Sequence, residues 1–285
     1  MIQDNIIGIR KYEYLKSLKF EDLSEQQKEQ IDIYEKKNVY QSEEQKQMQV
    51  EYFQRIMTDQ PEQPFSVTAK ELWIAFKAIF PVLNNRPFIK IENVTIKNLE
   101  PLIYYFSKDE RFFQCENLRK EYSEPSFDKG LLIIGNFGNG KTSTMKVFEQ
   151  MFKGIKGIGF KGFSANETVT MFEKCTGDNS DALRGEFERL MFNGIRYFDD
   201  VKTERIASNF GKVNIFKEIL EERYNRKSKT FCTCNFKTNF PDDFDEALGE
   251  FEEKYGERVY DRLFEMFNVI EFKGKIGRAS CRERV

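Results

Sequence analysis

Leu131-Leu132-Ile133-Ile134-Gly135-Asn136-Phe137-Gly138-Asn139-Gly140-Lys141-Thr142-Ser143 decides how the rest of this chain is read. An apolar run feeds directly into the pattern G-x-x-x-x-G-K-[ST], whose residue types suit a chain of phosphates. Glycines let backbone N–H groups approach the anion closely, and the helix after them points its unpaired amides and positive dipole end at it. In this reading Gly135, Asn136, Phe137, Gly138, Asn139, Gly140, Lys141, Thr142 and Ser143 form a nucleotide cradle. Lys141 reaches the β- and γ-phosphates. Thr142 gives its hydroxyl to Mg²⁺, an ion that keeps most of its ligands as water and phosphate oxygen. The pattern needs a strand before it and a helix after it. Residues 130–134 are a continuous apolar run, and Met145, Val147, Phe148, Met151 and Phe152 recur at roughly helical spacing over 141–152.

At 285 residues the chain has room for an α/β domain and a smaller helical region. Charged residues make up 32% of it but the net charge is only −2, so no global basic field draws it to nucleic acid, and any such contact needs a local patch. Residues 1–10 lack the apolar core of a signal peptide, and no run reaches membrane-spanning length; a cytoplasmic protein without a membrane partner is expected. Five cysteines without metal spacing fit reduced thiols, and Cys232 and Cys234, two apart on an expected strand, read as packing residues. There is no histidine, which excludes Ser-His-Asp and Cys-His nucleophilic sites and histidine metal sites. Carboxylates, lysine, arginine and bound metal are left for chemistry.

Residues 1–60 read as two or three helices, with capping signals at Ser24-x-x-Gln27 and Ser42-x-x-Gln45. Their apolar stripes are thin: Tyr12, Leu15 and Leu18, then Ile31 and Tyr34, then Met48, Tyr52 and Ile56. Such helices bury little alone, so the region is expected either to dock on a partner protein or to pack on the domain C-terminal to it. Residues 61–127 form a linker and helical lead-in. There Thr68-x-x-Glu71 caps a helix with Leu72, Trp73, Phe76, Ile79 and Phe80 on its apolar face and Pro81 at its end, and a second helix covers 98–106. From 128 to 275 strand and helix alternate, the signature of a parallel sheet flanked by helices. Strands are expected at 157–163, 195–200, 229–235 and 268–272, with helices at 167–175, 181–192 and 213–226. Residues 276–285 shift abruptly in composition and read as translated vector sequence, so the natural end is expected a few residues past Phe272.

The strand Ile195-Arg196-Tyr197-Phe198-Asp199-Asp200 ends in two acids. An acid at the carboxyl edge of a sheet, beside a phosphate loop, meets Mg²⁺ there, and a second can orient or deprotonate a water aimed at the γ-phosphate. Asp199 is assigned to the metal with Thr142, and Asp200 to the water. One strand intervenes between the two motifs, which points to the additional-strand class of phosphate-loop ATPases. Asn235, closing the strand from Lys229, is placed to hydrogen-bond the attacking water or the γ-phosphate. Arg258 and Arg262 lie four apart on one helix face, and an arginine against a neighbour's γ-phosphate accelerates hydrolysis; surface pairing with Glu257, Asp261 or Glu265 is the other possibility.

Four motifs stand in this order: Gly135-x-x-x-x-Gly140-Lys141-Thr142, Phe198-Asp199-Asp200, Glu222-Arg223-Tyr224 leading to Thr233-Cys234-Asn235, and Gly256-Glu257-Arg258-Val259-Tyr260-Asp261-Arg262-Leu263. With them, residues 129–272 resemble an AAA+ ATPase of the DnaC/DnaI-like replicative helicase-loader group, with IstB-like ATP-binding proteins as relatives. The resemblance implies a five-stranded parallel sheet of order 5-1-4-3-2, ATP and Mg²⁺ as cofactors, a homo-oligomer, and an arginine acting in trans, Arg258 or Arg262. It also implies DNA replication, phage or bacterial, as the setting, with the N-terminal helices gripping a replicative ring helicase and the ATPase domain sensing single-stranded DNA. Val201-Lys202 departs from the Ile or Leu and Gly that often come after the acids. Asp200 stands where Glu is common, one methylene shorter, which implies slow hydrolysis stimulated by oligomer or DNA. The rivals are an IstB-like transposition ATPase on DNA, an interaction protein that uses ATP only to assemble, and a small-molecule or nucleotide kinase, against which Asn235 with Arg258 argues.

Overall fold

A computed structural model describes residues 9–37, 66–176, 180–208 and 211–274, which fall into two compact units, 1–63 and 64–285. In the first unit, α1 (Ile9–Ser17) and α2 (Glu25–Lys37) make a helical hairpin. Ser24 and Gln27 form the expected box: the Ser24 amide donates to Gln27 Oε1 at 2.8 Å, and the Gln27 amide to Ser24 Oγ at 3.3 Å. Leu15, Leu23 and Ile31 are buried, and Tyr12 stacks on Tyr34 at 4.4 Å. Leu18, expected in the stripe, lies past the end of α1 and is 36% exposed; Leu23 fills its place. The helix expected around Met48, Tyr52 and Ile56, and the box at Ser42, fall outside the described residues.

The second unit opens with α3 (Ala69–Asn84) and α4 (Lys97–Phe106). Thr68 and Glu71 form a complete capping box at the start of α3. Pro81 does not end this helix as expected. It lies in the last turns, where a missing N–H costs one bond, and the chain stays helical to Asn84 before Asn85 turns out at φ 50°. The phosphate loop joins β1 (Gly130–Gly135) to α5 (Lys141–Met151). Next come β2 (Lys161–Ser164), α6 (Ala165–Glu173), α7 (Ser180–Phe192), β3 (Arg196–Asp199), a small hairpin of β4 (Ala207–Ser208) and β5 (Lys212–Val213), α8 (Ile215–Asn225), β6 (Thr230–Cys234), α9 (Phe244–Tyr255), α10 (Glu257–Met266) and β7 (Phe267–Phe272).

The main sheet has five strands in the order β2-β3-β6-β1-β7, every pairing parallel. Counted without the hairpin strands and read from the other edge, this is 5-1-4-3-2, the order that the motif resemblance implied. Strand period separates the two faces. Leu131, Ile133, Tyr197 and Phe231 pack under α3, α4 and α5, with Phe76 5.5 Å and Phe106 4.7 Å from the Phe148 ring. Leu132, Ile134, Phe198, Cys232 and Cys234 face the opposite layer, built with Phe216, Phe251 and Leu263. The lead-in is thus part of this unit's core.

Element bounds differ from expectation for local reasons. Gly154 and Gly157 hold φ of 81° and 84°, so the chain turns through 157–160 and β2 pairs only from Lys161. Val213 pairs with Ala207, and α8 starts at Ile215 with Asn214 as its cap. Helix α9 was not anticipated, although Phe244, Ala247, Leu248, Phe251 and Tyr255 carry its buried stripe and Asp243 caps it.

Candidate functional site

Gly135 closes β1 where a Cβ would lie 2.3 Å from the Phe272 carbonyl oxygen and 2.3 Å from the Asn139 amide nitrogen, so only glycine fits. The side chains of the loop are engaged with the protein itself. Asn139, 2% exposed, donates to the Phe272 carbonyl at 2.7 Å, and Asn136 donates to Asp242 Oδ1 at 2.6 Å. Phe137 stands out at the tip, 63% exposed. Gly138 and Gly140 (φ 76° and 90°) then turn the chain into α5, whose first amides and dipole end close the loop. Any recognition of phosphate by 135–140 therefore falls to backbone N–H groups. Ser143 Oγ accepts from Arg86 of the lead-in at 3.2 Å.

Lys141 is buried. Its Nζ donates to the carbonyls of Gly135 at 2.6 Å and Asn136 at 3.0 Å, to Asn139 Oδ1 at 3.1 Å and to Asn235 Oδ1 at 3.0 Å. Burial pushes the ammonium down to about 8, against the pull of Asp200 and Asp199, which favour its charge. Asn235 passes the chain on: its Nδ2 donates to Asp200 Oδ1 at 2.5 Å. Thr142 donates its hydroxyl to Asp199 Oδ1 at 2.9 Å. The loop lysine, both acids, the strand-end amide and the Thr142 hydroxyl thus meet at the carboxyl edge of β1, β3 and β6.

Two buried residues that sequence reasoning missed tie these groups together. The Tyr197 hydroxyl donates to Asp199 Oδ1 at 2.5 Å, and Thr233 Oγ1 donates to the same oxygen at 2.6 Å. Thr233 Oγ1 also accepts from the Asp200 amide at 3.0 Å, which holds Asp200 at its left-handed φ of 59°. Alternation along the strands was the available signal, since Tyr197 lies two before Asp199 and Thr233 two before Asn235.

The departure at Val201-Lys202 resolves into a specific structure. Val201 is buried, and Lys202 takes φ 77°, the conformation glycine would adopt without strain. Its Nζ donates to the Asn235 carbonyl at 3.0 Å, the Ala247 carbonyl at 2.9 Å and Glu250 Oε2 at 2.6 Å. Arg223, wholly buried, has a comparable role at the opposite edge: it donates to Thr230 Oγ1 at 2.7 Å and to the carbonyls of Met191, Gly194 and Lys229 at 2.7, 2.8 and 2.7 Å. Burial pushes it down to about 9.

Arg258 and Arg262 are not bonded to the loop or the acids. Arg258 is exposed, with no hydrogen-bond or ion-pair partner among the described residues, and Arg262 lies 4.2 Å over the Tyr224 ring. Neither pairs with Glu257, Asp261 or Glu265; Glu265 accepts instead from the Tyr224 hydroxyl at 2.8 Å. Cys232 and Cys234 are buried, and burial pushes both thiols up, as expected for packing residues. No cluster of three or more His, Cys, Asp or Glu that could hold a metal occurs among the described residues. The pair Thr142 and Asp199 still suits Mg²⁺, which takes few protein ligands.

The parallel sheet of order 5-1-4-3-2, with a phosphate loop after the first strand and an acid on a non-adjacent strand, is a phosphate-loop fold of the additional-strand type. No family model matches the sequence, and no curated protein matches it. Among solved structures the chain is similar to the DnaC helicase loader, at 19% identity over 67% of this chain and 96% of that one, TM-score 0.46. It is similar to DnaI at 19% identity over 66% and 89%, TM-score 0.41. It is also similar to AMPPCP-bound DnaA from Aquifex aeolicus, at 19% identity over 65% and 48%, TM-score 0.38. No described helix is long and apolar enough to cross a membrane.

Proposed function

We propose that this chain binds ATP with Mg²⁺ at 135–143, hydrolyses it slowly as a homo-oligomer in the cytoplasm, and loads a replicative ring helicase in DNA replication. The observation that carries the nucleotide part is the network joining Lys141 to Asp200 through Asn235, and Thr142 to Asp199. Lys141 exchanges loop carbonyls for phosphate oxygens, and the backbone N–H groups of 135–140 hold the phosphate chain. Thr142 and Asp199 would hold Mg²⁺, which would supply charge neutralisation on the phosphates. Asp200 orients the attacking water, and Asn235, shared between Lys141 and Asp200, registers whether the γ-phosphate is present. Residues 1–60 serve as the helicase-binding region, 61–127 as linker and lead-in, and 128–275 as the ATPase domain, which senses single-stranded DNA. The loading role rests on the order of the four motifs and on the thin core of the first helices, whose three buried apolar residues leave them suited to a partner.

Titration with a fluorescent ATP analogue tests the first part. Lys141→Ala is expected to weaken binding by at least about 100-fold, as loss of a charge-assisted phosphate contact implies; equal affinity would remove the assignment. For the second part, the full chain is mixed with a purified replicative helicase and ATP analogue and followed by light scattering. An ATP-dependent complex is expected. Failure to form one, with a complex forming on a transposase instead, would favour the transposition role.

A further inference from the structure

Away from the nucleotide loop, a groove of about 940 Å³ runs between the outer face of α5, the turn after it and the first residues of β2 and β3. Its described lining carries Lys146, Lys153, Lys156, Lys161 and Arg196 against one carboxylate, Glu149. In a chain of net charge −2 that is a strong local excess of positive charge. Lys146, Lys153 and Lys161 are exposed and have no carboxylate partner among the described residues. Glu149 is engaged elsewhere, accepting from the Gly162 amide at 2.8 Å. Lys146, on α5, and Lys153, in the turn that follows that helix, border the same groove. Like charges gathered so closely repel unless an anion lies among them.

We propose that this groove binds the sugar–phosphate backbone of nucleic acid. The inference gives a location to the DNA sensing in the function proposed above and rests on that reading. Lysine suits repeated phosphates, as a compact and strongly hydrated point charge, whereas the centre of a protein–protein interface is depleted in lysine. Phe160, the lining aromatic, is only 6% exposed and gives bases no platform, so recognition is of phosphates and independent of sequence. Helix α5, which carries Lys146, starts at Lys141, so a strand in the groove and a nucleotide at the loop would act on one rigid element.

The test is fluorescence anisotropy on the full chain with labelled oligo(dT) and, separately, a labelled duplex. Three phosphate contacts to a single strand predict about a 20-fold loss of affinity between about 50 and 200 mM salt. Lys146→Glu with Lys153→Glu is expected to weaken binding at least about tenfold and to flatten the slope of log K on log salt by about 1.4. The fluorescent ATP analogue should bind the variant as it binds the parent, which separates this site from the nucleotide loop. Should the double Glu variant misfold, Lys146→Gln with Lys153→Gln keeps the same readout. Binding of either oligonucleotide with these losses supports the groove, and the preferred form identifies its source. Unchanged affinity and slope in the variants, no binding by the parent, or competition by polyglutamate equal to that by oligo(dT) would each overturn it.

Discussion

Asp199 depends on its neighbours for its aim. A carboxylate left free at a strand end can rotate, whereas Oδ1 of Asp199 takes hydrogen bonds from Thr142, Tyr197 and Thr233 at once. Thr233 matters most among these, because the same hydroxyl also holds the Asp200 amide, and Asp200 carries a backbone conformation that costs a non-glycine residue about 1 kcal/mol or more. Thr233→Val keeps the shape and removes both bonds at a site 1% exposed. The part-buried Asp200 N–H then lacks its partner, which predicts a stability loss of about 1–3 kcal/mol. ATP turnover should fall more than ATP affinity, because the phosphate grip of Lys141 and the loop amides is untouched. Denaturant melts beside steady-state ATPase rates read both quantities. A rate equal to that of the parent would mean the aim of the acids is set elsewhere.

At the scale of elements, the connection out of β3 shows two opposing terms at one position. The left-handed φ of Lys202 costs about 1 kcal/mol, yet its nearly buried ammonium binds the end of β6 through Asn235 and also Ala247 and Glu250 of α9. Hydrogen bonds of a charged donor contribute about 1.5–3 kcal/mol each, so the side chain outweighs the strain. Lys202→Gly is therefore expected to lower stability by about 1–3 kcal/mol despite relieving the backbone, and Lys202→Met, which keeps the strain and loses the bonds, to lower it further. Thermal melts of the two variants give the order, and a Gly variant more stable than the parent would refute it. The same position marks how far the sequence could be read. The full sheet order was legible only through the resemblance that the four motifs carry; the residues themselves placed one strand between the phosphate-loop strand and the acid-bearing strand. What Lys202 does was not legible: a lysine after two acids reads as surface charge, and its burial depends on α9, a helix whose residues lie 42 or more positions onward. Tyr197 and Thr233 were hidden for a related reason, since each reads as an ordinary strand residue until the neighbouring strand is in place. Pro81 misled in the opposite direction, because a lost backbone bond near a helix end costs little when the packed face of α3 continues.

For the whole molecule, the decisive question is whether one copy can complete the chemistry. The groups assigned above to the nucleotide and the water gather around Lys141; among the described residues the arginine bonded to the loop is Arg86, on Ser143 Oγ, and the two candidates for a role in trans lie on α10. They differ in freedom. Arg262 is held over Tyr224, a contact of about 0.5–2 kcal/mol that it must give up to move, while Arg258 is exposed and without a partner among the described residues. A neighbouring copy that offers Arg258 to the γ-phosphate would raise hydrolysis by roughly 10³ to 10⁵. Turnover per chain should therefore rise steeply with protein concentration, and Arg258→Ala should abolish that rise while ATP affinity stays within about twofold, since the residue does not touch the loop. Arg262→Ala is expected to lower stability by the value of the ring contact and to retain most of the concentration dependence. ATPase rates measured across protein concentrations for the three proteins separate these outcomes. Equal curves for the parent and Arg258→Ala would remove the arginine from the chemistry, and loss confined to Arg262→Ala would transfer the role to it.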